Sequence, residues 1–245
     1  MTTVGIPQRR VRTPAQPLWR GDTTRRALLF CGILSAIYYA AITALVATRW
    51  EGYSSASQVI SELSAVGAPT RRLWLLVSWP YTLLALAFAW GVWTSAGRAL
   101  RVAGAALLAF GALGVIGWPF APMHLRETLA AGGGTLSDTM HMVLGGVTVA
   151  LMLVVMAAAA TAFGRQFRLY TVASVVVLFA FGFLVFLDAP EVAANRPTPL
   201  VGVWERINIG AFLLWEAVLA VALLRERAVA VSTAGRAAPT HEHAR

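Results

Sequence analysis

From Ala27 to Thr48 the chain carries no charged residue, and a bilayer core of about 30 Å takes about 20 apolar residues of helix. Five more apolar stretches follow. The spans are read at Ala27 to Ala47, Leu73 to Trp93, Val102 to Phe120, Thr139 to Phe163, Tyr170 to Leu187 and Ile207 to Leu224. Backbone groups in lipid have no water to bond, so each span must be helical. Pro80 sits inside the second span, where neighbouring helices can satisfy the carbonyl it frees. The expected fold is all-α, a polytopic membrane bundle of six transmembrane helices. Only 13% of residues are charged, against about 25% in a soluble domain.

Three segments follow from this pattern. Residues 1–26 are rich in Arg and hold Pro7, Pro14 and Pro17 without apolar periodicity, so they are expected to form a disordered arm rather than a cleavable signal peptide. Residues 27–224 are the transmembrane domain. Residues 225–245, ending in His241 and His243, are expected to be a disordered tail.

The net charge of +9 lies in the tails and in short loops beside apolar segments. Arginines in that position set topology, and without interleaved aromatics they do not argue for nucleic acid. All basic residues are Arg. Fourteen fall on the side of the tails and six on the other, so the positive-inside rule places both termini in the cytoplasm, with the plasma membrane as the expected location. Three long loops then face outward, and most acidic residues lie in them. Cys31 is the one cysteine; an intramolecular disulfide and a cysteine zinc site are excluded.

The first outer loop, Tyr53 to Gly67, places Ser54, Ser57, Ser61 and Ser64 on one helical stripe and Val59, Ile60, Leu63 and Val66 opposite. It reads as a short amphipathic helix, either lying at the membrane surface or turning Ser61 and Glu62 into an outer cavity. In the second outer loop His124 and Glu127 are three apart, as are Asp138 and His141, so each pair shares a face if helical. Two His and two carboxylates are legitimate ligands for a divalent metal, with zinc the cofactor to consider. Asp138 can instead orient His141 for acid-base work, and Thr135 with Asp138 also has the spacing of a capping box. Gly145 and Thr148 continue the Asp138 and His141 face inward as a stripe suited to close packing, and Gly104, Gly111 and Gly114 do the same in the third span.

In the sixth span Glu205, Asn208, Phe212 and Glu216 share a face. Glu216 is about 16 Å deeper than Glu205 at 1.5 Å per residue, near mid-bilayer. A carboxyl there must face the interior and be paired or protonated.

Tyr53, Ile60-Ser61-Glu62-Leu63, Met123-His124-Leu125-Arg126, Asp138 with His141, and Gly202 with Glu205-Arg206-Ile207 together resemble a bacterial membrane family, domain of unknown function 998. The resemblance spans roughly residues 25 to 225. It implies a six-helix integral membrane protein and supplies no reaction. The chain departs from the family's pattern at Pro119-Phe120-Ala121-Pro122, where an Asp near Ala121 is expected, so one ligand would be lacking. The pattern is also similar to alkaline-ceramidase-like hydrolases, which use Ser, Asp and three His around zinc; here the core offers two His.

Three functions are consistent with these residues. In the first, an outward polar site binds and hydrolyses or modifies a lipid or small amphiphile. His141, Asp138, His124, Ser61 and Glu62 are its catalytic candidates, and Arg206, Glu205, Arg126 and Glu216 its substrate-contacting ones. Arg206 would receive an anionic head group. His124, His141 and Asp138 are the candidate metal ligands. In the second, Glu216 is the titrating group of a proton-coupled transporter. In the third, the polar residues are caps and loop contacts of a membrane scaffold.

Overall fold

The computed structural model describes residues 18–236 of the chain, with side chains over 23–225. The expected arm up to residue 17, and the tail histidines His241 and His243, lie outside the described residues. Seven α-helices are present among those described: α1 (Leu18–Ala47), α2 (Arg71–Trp93), α3 (Arg98–Ile116), α4 (Arg126–Ala130), α5 (Leu136–Ala162), α6 (Arg165–Ala193) and α7 (Val201–Arg236). Six contain spans long and apolar enough to cross a membrane, at Thr23–Ala47, Arg71–Trp93, Arg98–Phe120, Leu136–Ala162, Arg165–Ala193 and Val201–Arg225. The expected six-helix membrane bundle is therefore the fold. α1 and α7 run past the expected boundaries of their spans, beginning at Leu18 and ending at Arg236.

The helices form a ring. α1 packs between α2 and α7, α2 meets α3, α3 meets α5, and α6 lies on α7. α5 and α6 touch far less than the other neighbouring long helices of the ring, although the turn at Phe163 and Gly164 joins them directly. The long connections, α1 to α2, α3 to α5 and α6 to α7, all fall at one end, here called the loop end. The other end has only short turns. Large apolar side chains such as Ile37, Leu76, Ile116 and Phe186 are more than half exposed around the ring. That is the surface a lipid solvent requires.

The interior is a continuous apolar core of Leu29, Phe88, Val92, Leu107, Met156, Leu178 and Trp215. Trp215 is completely buried, and its indole N–H donates to Thr171 Oγ1 of α6 at 3.0 Å. Without that acceptor the indole N–H would be orphaned, at a cost of about 1–3 kcal/mol. Near Pro80 of α2 a polar contact ties the helix to α1: the Tyr38 hydroxyl donates to the Val77 carbonyl at 3.0 Å, one residue beyond the Leu76 carbonyl that the proline frees.

The glycine stripe of α3 faces α2 as expected. A Cβ on Gly104 would lie 2.4 Å from the Trp93 backbone, so only glycine permits this approach. Gly111 and Gly114 face Leu86 and Thr82. The corresponding expectation for α5 holds in part. The face of Asp138, His141, Gly145 and Thr148 continues into the buried Met152, Val155 and Ala159, but a Cβ on Gly145 would meet nothing within 4 Å, so no close helix approach is made at that glycine. Thr148 Oγ1 is buried without a hydrogen bond.

A candidate acid-base site under a clamped strap

The first long connection is a strap, residues 53–66, that lies across the loop end. Its short helix is a five-residue 3-10 turn, Ile60–Ser64, with Ile60, Glu62 and Leu63 buried. The α-helical stripe of serines is therefore not formed. Turns occupy the segment before Val59, where the carbonyls of Ser55, Ala56, Ser57 and Gln58 accept from α4 and α7 and are lost to a regular α-helix.

Glu62 anchors the strap. Its carboxylate accepts two prongs of Arg126 from α4, Nε to Oε2 at 2.9 Å and Nη2 to Oε1 at 2.7 Å. The Val59 N–H and Gln58 Nε2 complete its shell at 3.0 Å each. Arg126 also donates to the Ser57 carbonyl at 2.9 Å and to Thr198 Oγ1 at 2.7 Å. At 9% and 1% side-chain exposure this is a buried ion pair whose lone pairs and protons are matched by neighbours, the condition such a pair needs.

α7 holds the strap's other edge. The Gly202 and Val203 N–H groups donate to the Ala56 carbonyl at 2.9 and 3.2 Å. Arg206 donates to the carbonyls of Ser55, Gln58 and Gly202 and, at 2.9 Å, to the Tyr53 hydroxyl. Glu205 accepts from the Ile60 N–H, at the start of the 3-10 turn. Burial pushes the Tyr53 phenol up to about 12, against the pull of its bond from Arg206.

Beside the strap, the loop from Ala121 to His124 is tied to the first turns of α5. Asp138 caps that helix as expected: the Thr135 N–H donates to its Oδ2 at 2.8 Å and Thr135 Oγ1 accepts from the Ser137 N–H at 3.2 Å. The same carboxylate receives His124 twice, the backbone N–H on Oδ1 at 2.7 Å and ring Nδ1 on Oδ2 at 2.8 Å. Since a carboxylate only accepts, Nδ1 carries the proton and the neutral ring keeps a lone pair at Nε2. The dyad is 16% and 18% exposed. Val66 of the strap bridges to His124 in parallel, through its N–H on the Met123 carbonyl at 2.8 Å.

A family model described as "Protein of unknown function (DUF998)" matches residues 33–222. The chain belongs to the DUF998 family. No curated protein and no solved structure matches it. The matched residues of this DUF998 protein include the strap, α4, the dyad and both strap contacts of α7.

The structure brings most of the candidate residues to one end, but in pairings other than those expected. Asp138 orients His124, not His141, because its carboxylate turns back to cap its own helix. His141 instead donates Nδ1–H to the Ala121 carbonyl at 2.9 Å and meets the Trp118 ring edge-on at 5.0 Å. Ala121, where the family resemblance leads one to expect an Asp, thus supplies a backbone acceptor. Ser61 Oγ reaches the sulfur of Met123 at 3.2 Å. Glu62, Arg126, Glu205 and Arg206 are engaged with the strap, and Glu216 lies apart in the interior. Among the described residues no cluster of three His, Cys, Asp or Glu side chains is placed to hold a metal ion. Sequence reasoning missed Gln58 and Thr198, lone polar side chains in irregular segments where no periodicity marks a partner.

Proposed function

We propose that this protein is a membrane hydrolase acting on an ester of a lipid or small amphiphile, with His124 as general base and Asp138 as its orienter. One observation carries the reading: the Asp138 carboxylate grips both the backbone and ring of His124 and leaves Nε2 available. That is the arrangement a neutral imidazole needs to take a proton from a nucleophile. Ser61 is the nucleophile in this scheme. Its hydroxyl spends its proton on a thioether, a weak acceptor, in the residue next to His124.

In the reaction Ser61 Oγ attacks the ester carbonyl, its proton passes to His124 Nε2, and that proton then leaves with the alcohol as the acyl–oxygen bond breaks. Water, deprotonated by the same base, releases the acid and restores Ser61. The loop end lies where apolar spans give way to polar connections, at head-group depth. The arginine bias supports an outward-facing loop end with cytoplasmic termini in a plasma membrane. The test is release of a fluorescent acyl chain from ester lipids in vesicles holding the purified protein. His124→Ala should remove turnover and His141→Ala retain most of it; equal turnover in wild type and His124→Ala would refute the proposal.

A further inference from the structure

The ester chemistry leaves one buried carboxyl unused. Glu216 of α7 is 0% exposed, and neither of its oxygens has a hydrogen-bond partner among the described residues. It lies about 22 Å along the helix from Val201 at 1.5 Å per residue. A carboxyl stranded in an apolar core is costly, so its place there calls for a ligand that removes the cost.

A line of phenols connects it to the loop end. Tyr81 of α2 lies within electrostatic reach of the Glu216 carboxyl without bonding to it. The Tyr39 ring of α1 lies against Tyr81 with centroids 4.8 Å apart. Tyr39 in turn packs, with Tyr53, against the apolar cluster that holds Ile60 and Leu63 of the strap. Neither the Tyr39 nor the Tyr81 hydroxyl makes a hydrogen bond among the described residues, whereas Tyr53 is committed to Gln58, Val59 and Arg206. α6, on the other flank of α7, offers the neutral Thr171 and no ionisable side chain between Tyr170 and Asp188. On α1, Cys31 turns its thiol to the Ala27 carbonyl. No cation in the described residues is paired with Glu216.

We infer that Glu216 is a proton-binding site in the membrane interior, loaded from the loop end through the hydroxyls of Tyr39 and Tyr81. A proton is the ligand that neutralises the carboxylate without needing a cavity or further donors. In each transfer Tyr81 gives its O–H proton to a Glu216 oxygen and takes one at the same phenol oxygen from Tyr39, which is reprotonated by a hydronium ion from the water at the loop end, so both phenols end unchanged. The site is independent of the ester chemistry.

Infrared spectroscopy of the full-length protein in phosphatidylcholine vesicles tests this. The carboxylic-acid C=O band absent from Glu216→Gln should shift in D2O and disappear reversibly as pH rises. Should Glu216→Gln fail to fold, Glu216→Asp identifies the band by moving it. Tyr81→Phe and Tyr39→Phe should each slow its deuterium exchange by about tenfold, the effect of losing one bridging hydroxyl. A band that neither exchanges nor titrates, or one that exchanges as fast in both phenylalanine variants as in wild type, overturns the inference. So does loss of the band on adding sodium at constant pH, which would make the site a metal-cation site.

Discussion

Glu62 and Arg126, 64 residues apart in sequence, meet in a two-pronged ion pair sealed at the loop end of the bundle. The pair joins the strap to α4, and through Thr198 and the Ser57 carbonyl to the α6–α7 connection. Removing one partner leaves the other charge buried and unmatched, which typically costs about 3–5 kcal/mol. Glu62→Leu and Arg126→Met alone should each lower the thermal midpoint in detergent sharply and expose the strap to protease. The double variant should recover much of the loss. A double variant as unstable as the sum of the singles would show that the clamp works otherwise.

Gly202 faces the strap's backbone so closely that an added Cβ would lie 2.3 Å from the Gln58 carbonyl oxygen and 2.5 Å from that of Ser55. No rotamer change relieves a clash with backbone. Gly202→Ala should therefore displace the strap at a cost of about 1–3 kcal/mol, read as faster proteolysis between Tyr53 and Val66. Gly146→Ala, where nothing lies within 4 Å, is the control and should be silent.

Asp138 has two duties that substitutions separate. Asp138→Asn keeps an N-terminal hydrogen-bonding side chain on α5, so stability should fall by about 1 kcal/mol or less, while ester turnover falls by several orders of magnitude because the imidazole loses its orienter. Thr135→Ala should do the reverse, weakening the cap and sparing turnover. Thermal midpoints and turnover measured on the same preparations check the split.

Tyr53 provides a pH signature for the strap. Its folded-state value, about 12, stands above the ordinary 10.0, so the fold favours the neutral phenol. The resulting stabilisation is complete below pH 10 and is lost as pH rises through about 12. The tyrosinate absorbance of wild type minus that of Tyr53→Phe should rise near pH 12 in the folded protein and near 10 after denaturation. A difference that rises near 10 in both states would contradict the burial of the phenol under the strap.

The six spans were legible in the sequence because each rests on a local quantity, a run of apolar residues long enough for the bilayer. The cap at Thr135 and Asp138 was legible for the same reason, its partners being three residues apart. The strap was not. Its serine stripe has helical spacing, yet Arg126, Glu205 and Arg206 arrive from helices distant in sequence and take the backbone groups that an α-helix would have used. The partner of Asp138 was likewise hidden: helical periodicity offered His141, whereas the dyad is set by where the Ala121 to His124 loop returns to α5. Gly145 shows the converse, a small residue with the spacing of a packing stripe that meets no neighbour.

The proposed hydrolysis rests on activation of Ser61 by the dyad of Asp138 and His124. Covalent labelling by a fluorophosphonate, mapped by mass spectrometry on protein in vesicles, addresses it most directly. Wild type should carry a phosphonylated Ser61, with labelling strongly reduced in His124→Ala and Asp138→Asn and retained in His141→Ala. An unlabelled Ser61, or labelling indifferent to His124, would contradict it.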